Sequence, residues 1–135
     1  MTAFQLKIVT PDGLEYDGPA EEVVVRTTSG DMGVLAGHIN CVAPLGMGRA
    51  MFIINGQKKY AACIGGMLSV NAGQVTLVPT TFEWAEEIDV ARAERAAQKA
   101  QSVISANAAS NAELAMAEAK LKRALVRKAV ATYKL

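Results

Sequence analysis

The sequence predicts an α+β protein, mainly β, in which strands and turns fill the first 84 residues and an antiparallel two-helix hairpin fills the rest. Two observations carry this. All 11 glycines lie between Gly13 and Gly73, all four prolines lie at or before Pro79, and six of the seven aromatics lie at or before Trp84. From Ala85 onward there are 16 alanines and neither glycine nor proline. Turn-formers with aromatics describe strands and hairpins, and an alanine-rich stretch without breakers describes helix.

The strand elements follow in order. Phe4, Leu6 and Ile8 alternate with Gln5 and Lys7, the period of a half-buried strand. Pro11-Asp12-Gly13 is turn chemistry, and Val23–Val25 form a second apolar run. Residues 50–54 and 57–61 flank Asn55-Gly56, a hairpin signal because both turn positions need positive φ. Residues 67–70 and 74–78 flank Asn71-Ala72-Gly73, a second hairpin. Several short strands at this spacing imply a sandwich or barrel.

The helical elements are a first helix over about 87–105 and a second over about 111–132. Residues 106–111 form a soft break, and Ser110 with Glu113 has capping-box spacing. Leu114, Leu121 and Leu125 recur on one face. Ala93, Ala96, Ala97 and Ala100 let the two backbones approach closely but bury little area each, at ~25 cal/mol per Å². Such a hairpin is marginal alone and suits a moving part.

Charge divides the same way. Residues 1–87 carry 5 Lys/Arg against 9 Asp/Glu, and residues 88–135 carry 9 against 4. Residues 120–135 hold Lys120, Lys122, Arg123, Arg127, Lys128 and Lys134 with no acid. A basic end of this kind seeks an acidic partner or solvent. Nucleic acid is a poor candidate, because no aromatics interleave with the basic stripe and the acidic first half repels phosphate. Cys41 and Cys63 lack metal-type spacing and read as reduced core thiols. No basic start followed by an apolar run marks a signal peptide, and no stretch has the length of a membrane span.

Catalytic motifs are missing. His38 is the only histidine and has no nucleophile or metal partner at recognisable spacing. The glycines at 30, 33 and 37 make Ser29–Gly37 read as a loop, but it lacks the Lys and Ser/Thr of a phosphate-binding loop and no helix follows it. Asp89 and Arg92, at i,i+3, read as a helix-start acid and an ordinary surface pair. Arg123 and Arg127, at i,i+4, face one side of their helix, an arrangement that suits a polyphosphate.

Four stretches, in order, resemble one family. They are Val9-Thr10-Pro11-Asp12-Gly13, Gly30-Asp31-Met32-Gly33-Val34-Leu35-Ala36-Gly37-His38, Gly65-Gly66-Met67-Leu68-Ser69-Val70, and Ile88-Asp89-Val90-Ala91-Arg92-Ala93. Together they resemble the epsilon subunits of F-type rotary ATP synthases over essentially the whole chain. Departures fall at Asp31 (usually Glu), Met32 (Leu or Phe), Ala36 (Pro) and Asn40 (Pro).

The resemblance implies a ten-stranded β-sandwich over 1–84 for rotor attachment and a regulatory hairpin over 85–135. It implies a non-catalytic central-stalk role. The partners would be gamma, the c-ring and the beta and alpha subunits, with peripheral association on the cytoplasmic side of the cell membrane through the complex. Asp31 and His38 would meet the c-ring and gamma. ATP would be a regulatory ligand held by Glu83, Asp89, Arg92, Arg123 and Arg127, with no required cofactor and no metal. The basic stripe would face an acidic beta segment, and the raised hairpin would inhibit hydrolysis. The competing reading is a stand-alone soluble ligand-binding module with a helical lid.

Overall fold

A computed structural model describes residues 2–106 and 110–132. Residues 107–109 of the expected break, and Lys134 of the basic end, lie outside the described residues. The chain divides into two compact units after Trp84.

The first unit holds eight strands: β1 Phe4–Thr10, β2 Gly13–Ala20, β3 Glu22–Thr27, β4 Gly30–Leu35, β5 Cys41–Pro44, β6 Met47–Ile54, β7 Gln57–Asn71 and β8 Gln74–Trp84. Their order is β2-β1-β8-β7-β6-β3-β4, with β5 added to β7. All pairs are antiparallel except β1 with β8. The sheet folds back on itself, and β2 touches β6 although three strands separate them in the order. Phe52, Leu6, Ile8, Leu68, Leu77 and Val23 fill the space between the layers, fully buried.

The strand number is eight and not the expected ten, because two strands each do double duty. β7 pairs with β6 through residues 57–64 and with β5 through 67–70. It bends between these segments at Gly65-Gly66, at φ +68° and +94°. A Cβ at Gly66 would stand 2.0 Å from the Val78 carbonyl oxygen, so only glycine lets the two backbones pass. β8 likewise pairs with β1 only over residues 74–77, while β7 accompanies it to Trp84. One bent strand thus stands where two straight ones were expected.

The turns form as their residues dictate. Asn55 and Gly56 have φ +53° and +74°, and Ala72 and Gly73 have φ +51° and +82°. In the second hairpin Asn71 still pairs with Gln74, so the turn proper is Ala72-Gly73. A further difference is the stretch read as a loop. Residues 30–35 are β4, laddered to β3. The Thr27 hydroxyl donates to the Gly30 carbonyl at 2.6 Å and accepts from the Ser29 amide at 3.1 Å, closing that hairpin. Val34 is its single fully buried residue, and the glycines hide the alternation.

In the second unit a 3-10 turn, Ala85–Glu87, precedes α1 Val90–Ser105 and α2 Asn111–Thr132. Ser110 caps α2 by accepting from the Glu113 amide at 3.2 Å. The helices meet along Ala93, Ala97 and Ala100 of α1 and Ala117 and Ala124 of α2, all nearly inaccessible. On the expected leucine face, Leu114 and Leu121 are half-buried and Leu125 is 48% exposed. Consecutive helical residues differ by about 100°, so a seam centred on Ala124 turns Leu125 aside. Lys128 pairs with Glu94 across the seam, but both are well exposed and the pair adds little.

Candidate functional site

The sheet carries a surface that its sequence hides. Ile8, Leu68 and Leu77 point into the core, fully buried. Strand alternation therefore turns their neighbours Val9, Met67 and Val78 outward. Met67 pairs with Pro44 on β5 and Val78 on β8, and Val9 pairs with Leu14 on β2. The result is an apolar row crossing β5, β7 and β8, with Val9 and Leu14 on β1 and β2 one position beyond the last β1–β8 pair, Ile8 with Leu77. Val42 lies on the same face, two residues before Pro44. Leu14, Val42, Met67 and Val78 are between 42% and 64% exposed. A contiguous apolar row on a sheet face marks an interaction surface, unlike single exposed aliphatics. The signal in the sequence was a pair of strands apolar on both faces, Met67-Leu68 and Leu77-Val78.

Asp31 sits on β4, and its Oδ1 accepts from Arg26 Nε at 2.7 Å, directly across the ladder. Its charge is answered within the chain by an exposed pair. His38 lies in the turn after β4, with Nδ1 2.8 Å from the Ile39 carbonyl oxygen. A carbonyl only accepts, so this contact uses the tautomer with hydrogen on Nδ1. The next residues lead into β5, and Asn40 Oδ1 accepts from the Ala72 amide at 2.9 Å. The residue in the family's usual proline position thus pins the β7–β8 turn.

The five residues expected to hold ATP come from both units. Glu83 is on β8 of the first unit. Asp89 is the N-cap of α1, accepting from the Arg92 amide at 3.0 Å. Arg123 and Arg127 line a groove between α1 and α2 together with Lys99 and Lys120, and neither Asp89 nor Arg92 does. Among the described residues no cluster of three or more His, Cys, Asp or Glu could hold a metal, and no helix is long and apolar enough to cross a membrane.

The chain is similar to proteins of known kind. Residues 3–85 match the family described as ATP synthase, Delta/Epsilon chain, beta-sandwich domain, and residues 86–132 match its long alpha-helix domain. It is 37% identical to the ATP synthase epsilon chain of Shouchella clausii over 99% of this chain and 98% of that one. With the epsilon chain of Bacillus subtilis it shares 46% identity over 75% of this chain and 76% of that one. A chain in the cryo-EM structure of the Euglena gracilis mitochondrial ATP synthase, OSCP/F1/c-ring, superposes with a TM-score of 0.83 at 26% identity, covering 96% of this chain and 81% of that one. A chain of the Tetrahymena thermophila mitochondrial ATP synthase central stalk and c-ring, TM-score 0.67 at 12% identity, shares the fold. Matched by family over both units and by relatives along its length, the chain belongs to the ATP synthase delta/epsilon chain family.

Proposed function

We propose that this chain is the epsilon subunit of a rotary ATP synthase, a non-catalytic central-stalk piece that joins gamma and the c-ring and meets the beta and alpha subunits. The carrying observation is the outward apolar row Pro44, Met67, Val78, Val9 and Leu14. It supports attachment to a partner through the sandwich, as the stalk role requires, and a stand-alone ligand-binding module has no use for it. Asp31 and His38, on β4 and the turn that leads into β5, are proposed to add polar contacts to the c-ring and gamma. Association with the cytoplasmic side of the membrane then comes through the complex.

The test is a paired substitution on that face, Met67→Glu with Val78→Glu. Both side chains are over 40% exposed, so the sandwich should fold normally by circular dichroism. Burying two carboxylates in an apolar interface costs several kcal/mol, so co-purification with gamma, alpha and beta from membranes should fall by about tenfold or more. Undiminished co-purification would place the attachment elsewhere.

A second, regulatory reading concerns the hairpin. Arg123 and Arg127 share one groove with Lys99 and Lys120, a concentration of positive charge suited to a triphosphate. In this reading ATP keeps the helices together. Its scarcity lets the hairpin rise toward an acidic segment of beta and obstruct hydrolysis.

A further inference from the structure

Arg26 on β3 is held both at its nitrogen and along its stem. Its Nε donates to Asp31 Oδ1 at 2.7 Å, directly across the ladder to β4. Its stem lies against Gly48, where a Cβ would stand 2.9 Å from Arg26 Cβ and 3.2 Å from its Cγ. A Cβ at Gly46 would stand 3.4 Å from the same Cγ. On β4, Gly33 shares a face with Asp31 by strand alternation, and a Cβ there would meet only Val24, at 3.9 Å. None of these three glycines has a positive φ, so the backbone conformation does not call for them. Gly46 and Gly48 make room for the arginine stem, and Gly33 leaves the sheet beside the pair bare. Stability does not explain this arrangement. The side chains of Arg26 and Asp31 are 52% and 60% exposed, and an ion pair so well solvated adds little. Among the described residues no partner engages Nη1 or Nη2 of Arg26.

We propose that Arg26 offers its Nη edge to an acidic side chain of the subunit on which the sandwich is mounted, and that Asp31 is the positioning residue behind it. This rests on the stalk reading and specifies its polar contact at Asp31 as a pair, Arg26 toward the partner and Asp31 holding Arg26 in place. The planar guanidinium makes two parallel hydrogen bonds to a carboxylate through the edge left open. A side chain already fixed at Nε and along its stem loses little further freedom on binding, which is why seating it favours affinity. Gly33 admits the partner's backbone close to the pair. A lipid phosphate is a poorer occupant. Residues 1–87 carry 5 Lys/Arg against 9 Asp/Glu, so an anionic bilayer repels this half of the chain, whereas one acidic side chain needs only the local fork.

The experiment titrates the full chain into ATP synthase stripped of this subunit and reads the affinity of each variant. Both side chains are more than half exposed, so their variants should fold as the wild type does. Arg26→Gln should weaken binding about tenfold, and Arg26→Glu, which sets carboxylate against carboxylate, should weaken it further. Arg26→Lys keeps the charge without the fork and should recover only part of the loss. Asp31→Asn should weaken binding about threefold, and should change nothing when added to Arg26→Gln, because a positioning residue acts only through the group it positions. Were Asp31 itself the contact, to a cation, removing Arg26 would free it and binding would tighten. Unchanged or tighter binding by Arg26→Gln, or independent effects of the two substitutions, would overturn the proposal. So would binding of the isolated chain to phosphatidylglycerol vesicles that Arg26→Gln abolishes, since the fork would then belong to a lipid phosphate. Met67→Glu with Val78→Glu separates the two readings. Loss of binding there beside an unaffected Arg26→Gln overturns this inference and leaves the stalk role standing, and a wild type that does not bind overturns both.

Discussion

Single residues set the strain and the protonation of the sandwich. Ala72 sits at φ +51°, in the left-handed region where a Cβ crowds the following carbonyl, whereas the other hairpin places Asn there. Ala72→Gly or Ala72→Asn should raise stability by about 0.5–1 kcal/mol, read as a higher urea midpoint at unchanged slope. A lower midpoint would mean that the Asn40 contact to the Ala72 amide depends on this conformation. Cys63 makes a second prediction. Burial pushes its thiol up to about 12 from an ordinary 9.0. The folded state therefore keeps a proton that the unfolded chain releases above pH 9.0. Stability should be indifferent to this group below that pH and fall by about 1.4 kcal/mol per pH unit as pH climbs toward 12. Cys63→Ala should remove that slope, whatever it costs at neutral pH. Identical slopes in the two proteins would show that the thiol ionises within the fold.

At the scale of elements, the two units differ in what holds them. The sandwich has a core of large aliphatic and aromatic side chains, including Phe52 edge-on to Phe82 and Trp84 at centroid distances of 6.0 and 5.5 Å. The hairpin is sealed by alanines, so each contact removes little apolar area from water. A chain ending at Glu86 should therefore unfold in one cooperative transition. A molten product without a transition would show that the sandwich depends on the helices. The helix starts are specified locally, α1 by the Asp89 cap and α2 by Ser110. Their pairing is left to a weak alanine seam, which suits the opening that the regulatory reading proposes.

On the scale of the whole molecule, the proposed reading gives attachment to the acidic strand half and regulation to the basic helical half. A closed hairpin separated from an open one by a small free energy responds to one ligand, because about 1.4 kcal/mol of differential binding changes the ratio tenfold. In the ATP-gated reading, calorimetry of the isolated chain should show ATP binding at millimolar or tighter affinity, weakened in Arg92→Ala. No heat in the wild type would remove ATP as the gate, and equal heat in the variant would remove Arg92 from the site. Deleting residues 88–135 should raise hydrolysis by the reassembled enzyme, and an unchanged rate would rule out inhibition by the hairpin.

The sequence by itself determined whatever depends on neighbours along the chain. The change from strands to helices at residue 84, the Asn55-Gly56 hairpin, the Ser110 cap and the family resemblance were all legible, because turn residues, caps and periodicity act within a few positions. Only the tertiary structure decided which of two apolar faces is covered. Met67 and Val78 stand beside Leu68 and Leu77 in strands apolar on both faces, and their exposure emerges only when neighbouring strands align them into a row. Leu125 shares a helix face with Leu114 and Leu121, yet it is exposed while they are half-buried. The fusion of two expected strands into β7 rests on Gly66 passing the Val78 carbonyl, a contact between backbones twelve residues apart. Burial is a property of what packs on a surface, and that partner is distant in sequence.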